Sequence, residues 1–195
     1  MEPSVKGSIL AVALAQLFGL VERGQLELRE VEEALGREWF EAARAGRIAP
    51  SAWYPVQLYD RVLVLMMKRA GEGRTDYLVE LGRQAAKALA SQGIYKQLDR
   101  KAGDEPDDRF VRQLLTLAKA LYSFTQWDLE AFNADEGWFV IRISEARDYP
   151  DSLRWRNCGF LEAMTSQAVG HPVTLTSERR PADCIRFRIQ WRASA

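Results

Sequence analysis

Apolar residues recur at helical spacing along the first two thirds of the chain, and near residue 137 the pattern changes to strict alternation. Lys6-Gly7-Ser8 opens into the apolar run Ile9 to Leu14, which starts like a strand and continues as a helix to about Glu22, with Gly24 as its stop. Glu27 to Ala45 forms a second helical stretch with Leu28, Val31, Leu35, Trp39 and Phe40 on its apolar side, and residues 46–50 break it. Ser51 is placed to cap a third helix, with Pro55 tolerated in its first turn and Leu58, Tyr59, Val62, Leu63 and Met66 following at helical spacing. Tyr77, Leu78, Leu81, Ala85, Ala88 and Leu89 mark a fourth, in which Gly82 signals a close helix contact. Lys101 to Asp108 is the most polar stretch, a loop giving an acidic start to a helix expected from about Asp108 to Phe132, the longest predicted.

After Gly137, Phe139, Ile141 and Ile143 alternate with Trp138, Val140 and Arg142, which predicts a strand. The stretch from Trp155 to Trp191 then reads as a short amphipathic helix, a strand at Val173 to Thr176, a Pro-containing turn and a strand in which Ile185, Phe187, Ile189 and Trp191 alternate with polar residues. This segregation predicts an α+β fold: an N-terminal helical layer packed on a small C-terminal antiparallel sheet, a meander with a helix between its strands. Residues 1–195 are read as a single domain, helical over about 8–132 and strand–helix–hairpin over about 138–192.

Charge and composition narrow the function. Twenty-seven basic residues balance twenty-seven acidic ones, so no overall field favours nucleic acid or an anionic membrane. Met1 to Gly7 has one lysine and no long apolar run, and Ile9 to Leu20 carries Gln16 and is too short to span a bilayer, which predicts a soluble cytoplasmic protein without membrane insertion. Two cysteines make no disulfide framework.

Three groups of residues are candidates for chemistry. The aromatics Trp53, Tyr54, Tyr59, Tyr122, Phe124, Trp127, Trp138 and Trp155 could line one apolar cavity, with Tyr54 and Tyr122 as polar handles, or simply fill the core. Cys158, Glu178 and Cys184 are possible metal ligands, with His171 in a Gly-His-Pro turn as a conceivable fourth, but CxxC spacing and a paired histidine are missing. Arg186, Arg188 and Arg192, extended by Arg154, Arg156, Arg179 and Arg180, form a basic face that suits a phosphate, an acidic partner or plain solvent. No GxSxG, Gly-rich phosphate loop or HExxH occurs, and Cys158 with His171 is the remaining nucleophile–base candidate, so no catalytic residue is assigned.

Val5-Lys6-Gly7-Ser8-Ile9-Leu10, Leu81-Gly82-Arg83-Gln84-Ala85-Ala86-Lys87 and Cys158-Gly159-Phe160-Leu161-Glu162 together resemble the superfamily of heme nitric-oxide/oxygen-binding domains, four-vinyl reductase-type sensor domains and TRAPP vesicle-tethering subunits. Ala52-Trp53-Tyr54-Pro55 is similar to a stretch typical of a myxobacterial family of unknown function within that group. The resemblance implies a sensor or adaptor. It also implies a heme-ligating helix histidine and a Tyr-x-Ser-x-Arg motif, yet Leu114 to Trp127 holds no histidine and the motif is absent, which argues against heme. The four-vinyl reductase-type zinc site uses three cysteines and a glutamate; Cys158, Glu178 and Cys184 match its order, but Pro181 stands where a further cysteine is expected, so zinc is not predicted. The expectation is a non-enzymatic sensory module binding a small apolar ligand in a cavity between helices and sheet. The alternative is a dimeric protein-interaction or adaptor domain, with a filled core and an exposed apolar patch on a helix.

Overall fold

In a computed structural model describing residues 2–91 and 107–192, the chain opens with a short strand, β1 (Ser4–Lys6), that runs directly into α1 (Gly7–Glu22). The single helix expected over 27–45 is two, α2 (Leu28–Leu35) and α3 (Arg37–Arg44). Gly36 separates them at φ 80°, a backbone state that glycine alone adopts without strain.

Trp53–Pro55 is not a helix entry capped by Ser51 but a strand, β2, paired antiparallel with β1 so that Val5 lies opposite Tyr54. Pro55 disfavours helical geometry at Tyr54, and the β1 backbone supplies the extended segment with partners. Helix α4 (Val56–Arg69) therefore starts only after Pro55. Helix α5 (Thr75–Ser91) follows; of the polar loop from Lys101 to Asp108, residues 101–106 lie outside the described residues.

Helix α6 (Asp108–Leu121) begins where expected, Asp107 Oδ1 accepting from the Phe110 amide at 2.8 Å, but it does not run to Phe132. Tyr122 is extended and bridges to Val5, and Gln126–Asn133 forms β3. The strand wins there because β4 (Trp138–Ser144) pairs along its length, Trp127 facing Ile143 and Phe132 facing Phe139.

The terminal helix is longer than expected. Helix α7 (Asp151–Val169) starts after Pro150, carries an acidic residue in its first turn and ends at Gly170 in the left-handed region. Its 19 residues make it the longest described helix, and it is buried on most sides. The last strands, β5 (Thr174–Arg179) and β6 (Ile185–Gln190), complete a four-stranded antiparallel sheet of order β3-β4-β6-β5. The α+β arrangement is as the pattern change implied, except that the sheet is not a simple meander: β6 inserts between β4 and β5.

The alternating positions carry the packing. Phe139, Ile141, Ile143, Ile185, Phe187 and Ile189 are fully buried on the inner face of the sheet, in one cluster with apolar residues of α1, α4, α6 and α7. At about 25 cal/mol per Å2 of apolar area, burial of this kind is the main force holding helices to sheet. Gly82 has the role the sequence implied, since it lies against the α7 backbone at Arg156 and Phe160. Arg83 reinforces the crossing through three contacts to Glu162, at 2.9, 3.1 and 3.3 Å. Among the described residues no helix is long and apolar enough to cross a membrane.

Candidate functional site

The centre of the molecule has a polar group set in aromatic rings. Asn157, buried on α7, donates from Nδ2 to the Tyr122 hydroxyl at 3.1 Å and to the Tyr149 hydroxyl. Tyr122 stacks on Trp127 with ring centres 5.5 Å apart and planes 12° from parallel, and Trp127 stacks in turn on Phe187 at 6.3 Å. A continuous aromatic run thus leads from the end of α6 to the inner face of the sheet. Tyr149 closes one side, 5.9 Å from Tyr122 and 6.0 Å from Phe124.

Two small cavities flank this group, and Leu121, Tyr122, Asn157 and Phe160 stand in the walls of both. The first, about 30 Å3, lies between α6, α7 and the sheet and is walled by Leu114, Leu117, Trp127, Ile141 and Leu161. The second, also about 30 Å3, lies between α1, α4, α5 and α7 and is walled by Ile9, Val12, Tyr59, Ala85 and Arg156. Each holds a guest the size of one or two waters, and both are mainly apolar.

Burial dominates the electrostatics. It pushes the Tyr149 phenol well above its ordinary value, with the neighbouring Tyr122 adding to the rise and the Asn157 hydrogen bond opposing it. Burial also raises Tyr59, partly countered by the Arg156 charge, and raises the Cys158 thiol despite a hydrogen bond to Ser177. Cys158 is thus a protonated, buried thiol rather than an activated nucleophile. His171 lies beyond the end of α7, exposed, with Nδ1 3.0 Å from the Pro172 carbonyl oxygen. Roughly 17 Å of helix separate it from Cys158, too far for a nucleophile–base pair.

Of the aromatics singled out by sequence, Tyr59, Tyr122 and Trp127 come together at the cavities and Phe124 packs beside them on Tyr149. The others sit elsewhere. Trp53 is 44% exposed on β2 under Lys6, and Tyr54 accepts from the Ala49 amide and packs edge-on against Trp39. Trp155 lies under Arg154, and Trp138 lies under Arg188 with its indole N–H donating to Glu136.

Cys158 is buried and Cys184 half-buried, both free, while Glu178 faces Arg186 at 3.9 Å; among the described residues no three potential metal ligands converge. The basic face is largely compensated: Arg186 bonds both Glu130 carboxylate oxygens at 2.9 Å, Arg154 pairs with Asp151, and Arg179 donates to the carbonyls of Ala146, Tyr149 and Ala182. Arg156 is not part of it but is buried in the helical interior. Sequence reasoning missed Asn157, Tyr149 and Phe160 as site residues. The available signal was the Arg156-Asn157 pair in a helix otherwise read as packed on the sheet, since buried polar residues need partners.

Neither protein-family models nor curated proteins match this chain. Solved structures do. The chain is similar to an H-NOX (heme nitric-oxide/oxygen-binding) protein from a study of heme distortion in that family, at 14% identity and a TM-score of 0.61 over 97% of this chain and 96% of the other. It is similar to an Fe(II) unliganded H-NOX protein from K. algicida, at 13% identity and a TM-score of 0.58 over 97% of both chains. An oxygen-binding H-NOX domain related to soluble guanylate cyclases aligns at 14% identity and a TM-score of 0.55, over 96% of this chain and 95% of the other.

Neither cavity is lined by a histidine. Helix α6 carries no histidine, His171 lies beyond the end of α7, and Tyr122, Trp127 and Phe187 stack in sequence beside the first cavity. At this level of identity the likeness establishes an H-NOX-like fold.

Proposed function

We propose that this chain is a non-catalytic sensory module in which a small apolar ligand, rather than heme, occupies the space between helices and sheet. The observation that carries this reading is the pair of apolar cavities meeting at the buried Tyr122–Asn157–Tyr149 group. Ligand sites commonly combine apolar walls with a few fixed polar groups, and here α5, α6 and α7 supply the walls while Asn157 supplies the fixed group. Half-buried Leu121 and Phe160 stand in the walls of both voids, so a ligand that spans the two displaces these side chains. A ligand that does so moves α6 against α7, which is a physical route from occupancy to signal.

The absence of a helix histidine and the stacked aromatics support the heme-free form of this reading. A buried thiol and an exposed histidine that has no partner acid among the described residues support the non-catalytic form. Two free cysteines agree with a reducing, cytoplasmic setting. The dimeric adaptor alternative has less support, because among the described residues the large exposed hydrophobics are Leu28 and Trp53, on separate elements. Descent from the bacterial sensor branch of the fold group, close to the myxobacterial family, belongs to the same proposal and rests on the Ala52-Trp53-Tyr54-Pro55 stretch.

Native mass spectrometry after gentle purification, paired with thermal denaturation in the presence of hexanol, tests it. The expected result is a retained small mass or a rise in melting temperature of several degrees. Neither effect, or a Soret band with bound iron, overturns the proposal.

A further inference from the structure

Among the described residues Arg156 is a buried charge without an ion-pair partner. Its residue is 3% exposed, its Nη1 has no hydrogen-bond acceptor, and among the described residues no ion pair engages its guanidinium. Arginine is rarely buried so deeply unless paired, and it does not escape by losing its proton. The Tyr59 ring, 5.7 Å from Cζ, gives only partial compensation through its π face. Replacing a buried ionic group by an apolar one is often neutral or stabilising, so its presence here points to a ligand.

The placement is specific. Arg156 lines the second cavity beside Asn157 and Tyr59, with the otherwise apolar Ile9, Val12 and Ala85 around it. Its own backbone is held where α7 crosses α5, its carbonyl group packed against Gly82, so the guanidinium is presented from a fixed point. A guanidinium fork matches the two oxygens of a carboxylate. One cation among neutral groups balances a monoanion and leaves a dianion such as phosphate half compensated. A void of about 30 Å3 accepts a carboxyl group, and beyond Leu121 and Phe160 the first cavity offers Leu114, Leu117 and Leu161 to an apolar tail.

We propose that the ligand is a small monocarboxylic acid, its carboxylate held by Arg156 in the second cavity and its apolar tail directed past Phe160 into the first. This rests on the small-ligand reading given above and names the chemical class.

The test uses the full chain at pH 7 and constant ionic strength, titrated with hexanoate, hexanol and chloride and followed by calorimetry and thermal denaturation. Hexanoate is expected to bind at least tenfold more tightly than hexanol. Arg156→Met is expected to lose that preference while melting, without ligand, at or above the wild-type temperature. If that variant does not fold, Arg156→Lys and the assigned Arg156 side-chain N–H resonance of wild type carry the test, the resonance shifting with hexanoate and not with hexanol. Equal binding of hexanoate and hexanol, unaffected by Arg156→Met, overturns the carboxylate assignment and leaves the apolar-ligand reading standing. Saturation by chloride with no further gain from hexanoate overturns it in favour of an inorganic anion. Binding of none of the three overturns both.

Discussion

Gly82 on α5 and Gly159 on α7 each face the backbone of the other's helix: a Cβ on Gly82 would fall 1.9 Å from the Arg156 carbonyl oxygen, and one on Gly159 would fall 1.8 Å from that of Val79. The two helices therefore cross at near backbone contact, with no side chain between them. That contact sets where Arg156, Asn157 and Phe160 stand, because they occupy the same turns of α7. The architecture of the proposed site thus depends on two missing methyl groups at positions that line neither cavity.

Alanine normally stabilises a helix relative to glycine by about 1 kcal/mol. At Gly82 and Gly159 the opposite is expected, because the clash is with backbone, which has no rotamer to yield. Gly82→Ala and Gly159→Ala should each lower stability by about 3 kcal/mol in urea denaturation, overpacking outweighing propensity. The double variant should lose less than the sum of the two, since either substitution already spreads the same crossing. A gain in stability from either would show that the helices are not in backbone contact.

That contact was readable in the sequence only as an anomaly, a glycine within the Leu78, Leu81, Ala85 stripe, and its partner Gly159 gave no separate sign. The sheet was plainer, because Phe139, Ile141 and Ile143 and later Ile185, Phe187 and Ile189 alternate without interruption, and alternation is local. What failed depended on remote partners. Gln126 to Asn133 has no glycine or proline and continues the apolar stripe of α6, so nothing local announces that β4 will capture it. Trp53 to Pro55 becomes a strand only because Ser4 to Lys6 lies alongside. The candidate site was less readable still: Arg156 and Asn157 look like solvent-facing residues until α1, α5 and α6 enclose α7, and no spacing rule encodes that enclosure.

The same crossing carries an ion pair whose contribution should be much smaller. Arg83 reaches Glu162 with three contacts and Glu80 with a fourth, and its guanidinium is held protonated most strongly by the Glu162 hydrogen bonds, yet the Arg83 side chain is 38% exposed. Solvent screening limits such a pair, and a double-mutant cycle on Arg83→Ala and Glu162→Ala should give a coupling of about 0.5 kcal/mol. Raising the salt concentration to about 1 M should reduce it further. A coupling several times larger, insensitive to salt, would mean that charge rather than close backbone contact fixes the crossing.

Asn157 should be worth more to the fold than any surface pair. Truncating it to alanine removes the buried amide that bonds the Tyr122 and Tyr149 hydroxyls, and the loss should be about 2 kcal/mol in urea denaturation. Combining Asn157→Leu with Tyr149→Phe should recover part of that loss, because fewer polar groups are then stranded in an apolar interior. If Asn157→Ala is neutral, the amide does not organise the wall between the two cavities.

Tyr149 makes the fold sensitive to alkaline pH. Burial, the first cause, and the adjacent Tyr122 raise its phenol well above 10.0, the ordinary value that the unfolded chain regains. Below pH 10.0 both states hold the proton and the shift adds no pH dependence. Above it the unfolded state releases a proton that the folded state retains, so stability falls as pH rises, by up to about 1.4 kcal/mol per pH unit for each such tyrosine. Tyr59 is raised in the same direction, and lysine deprotonation adds a background common to wild type and variants. The informative quantity is therefore the stability of wild type minus that of Tyr149→Phe, measured by urea denaturation from pH 8 to 11.5. That difference should be constant at the lower end and decline above about pH 10, whereas parallel curves over the whole range would place the Tyr149 hydroxyl in contact with water.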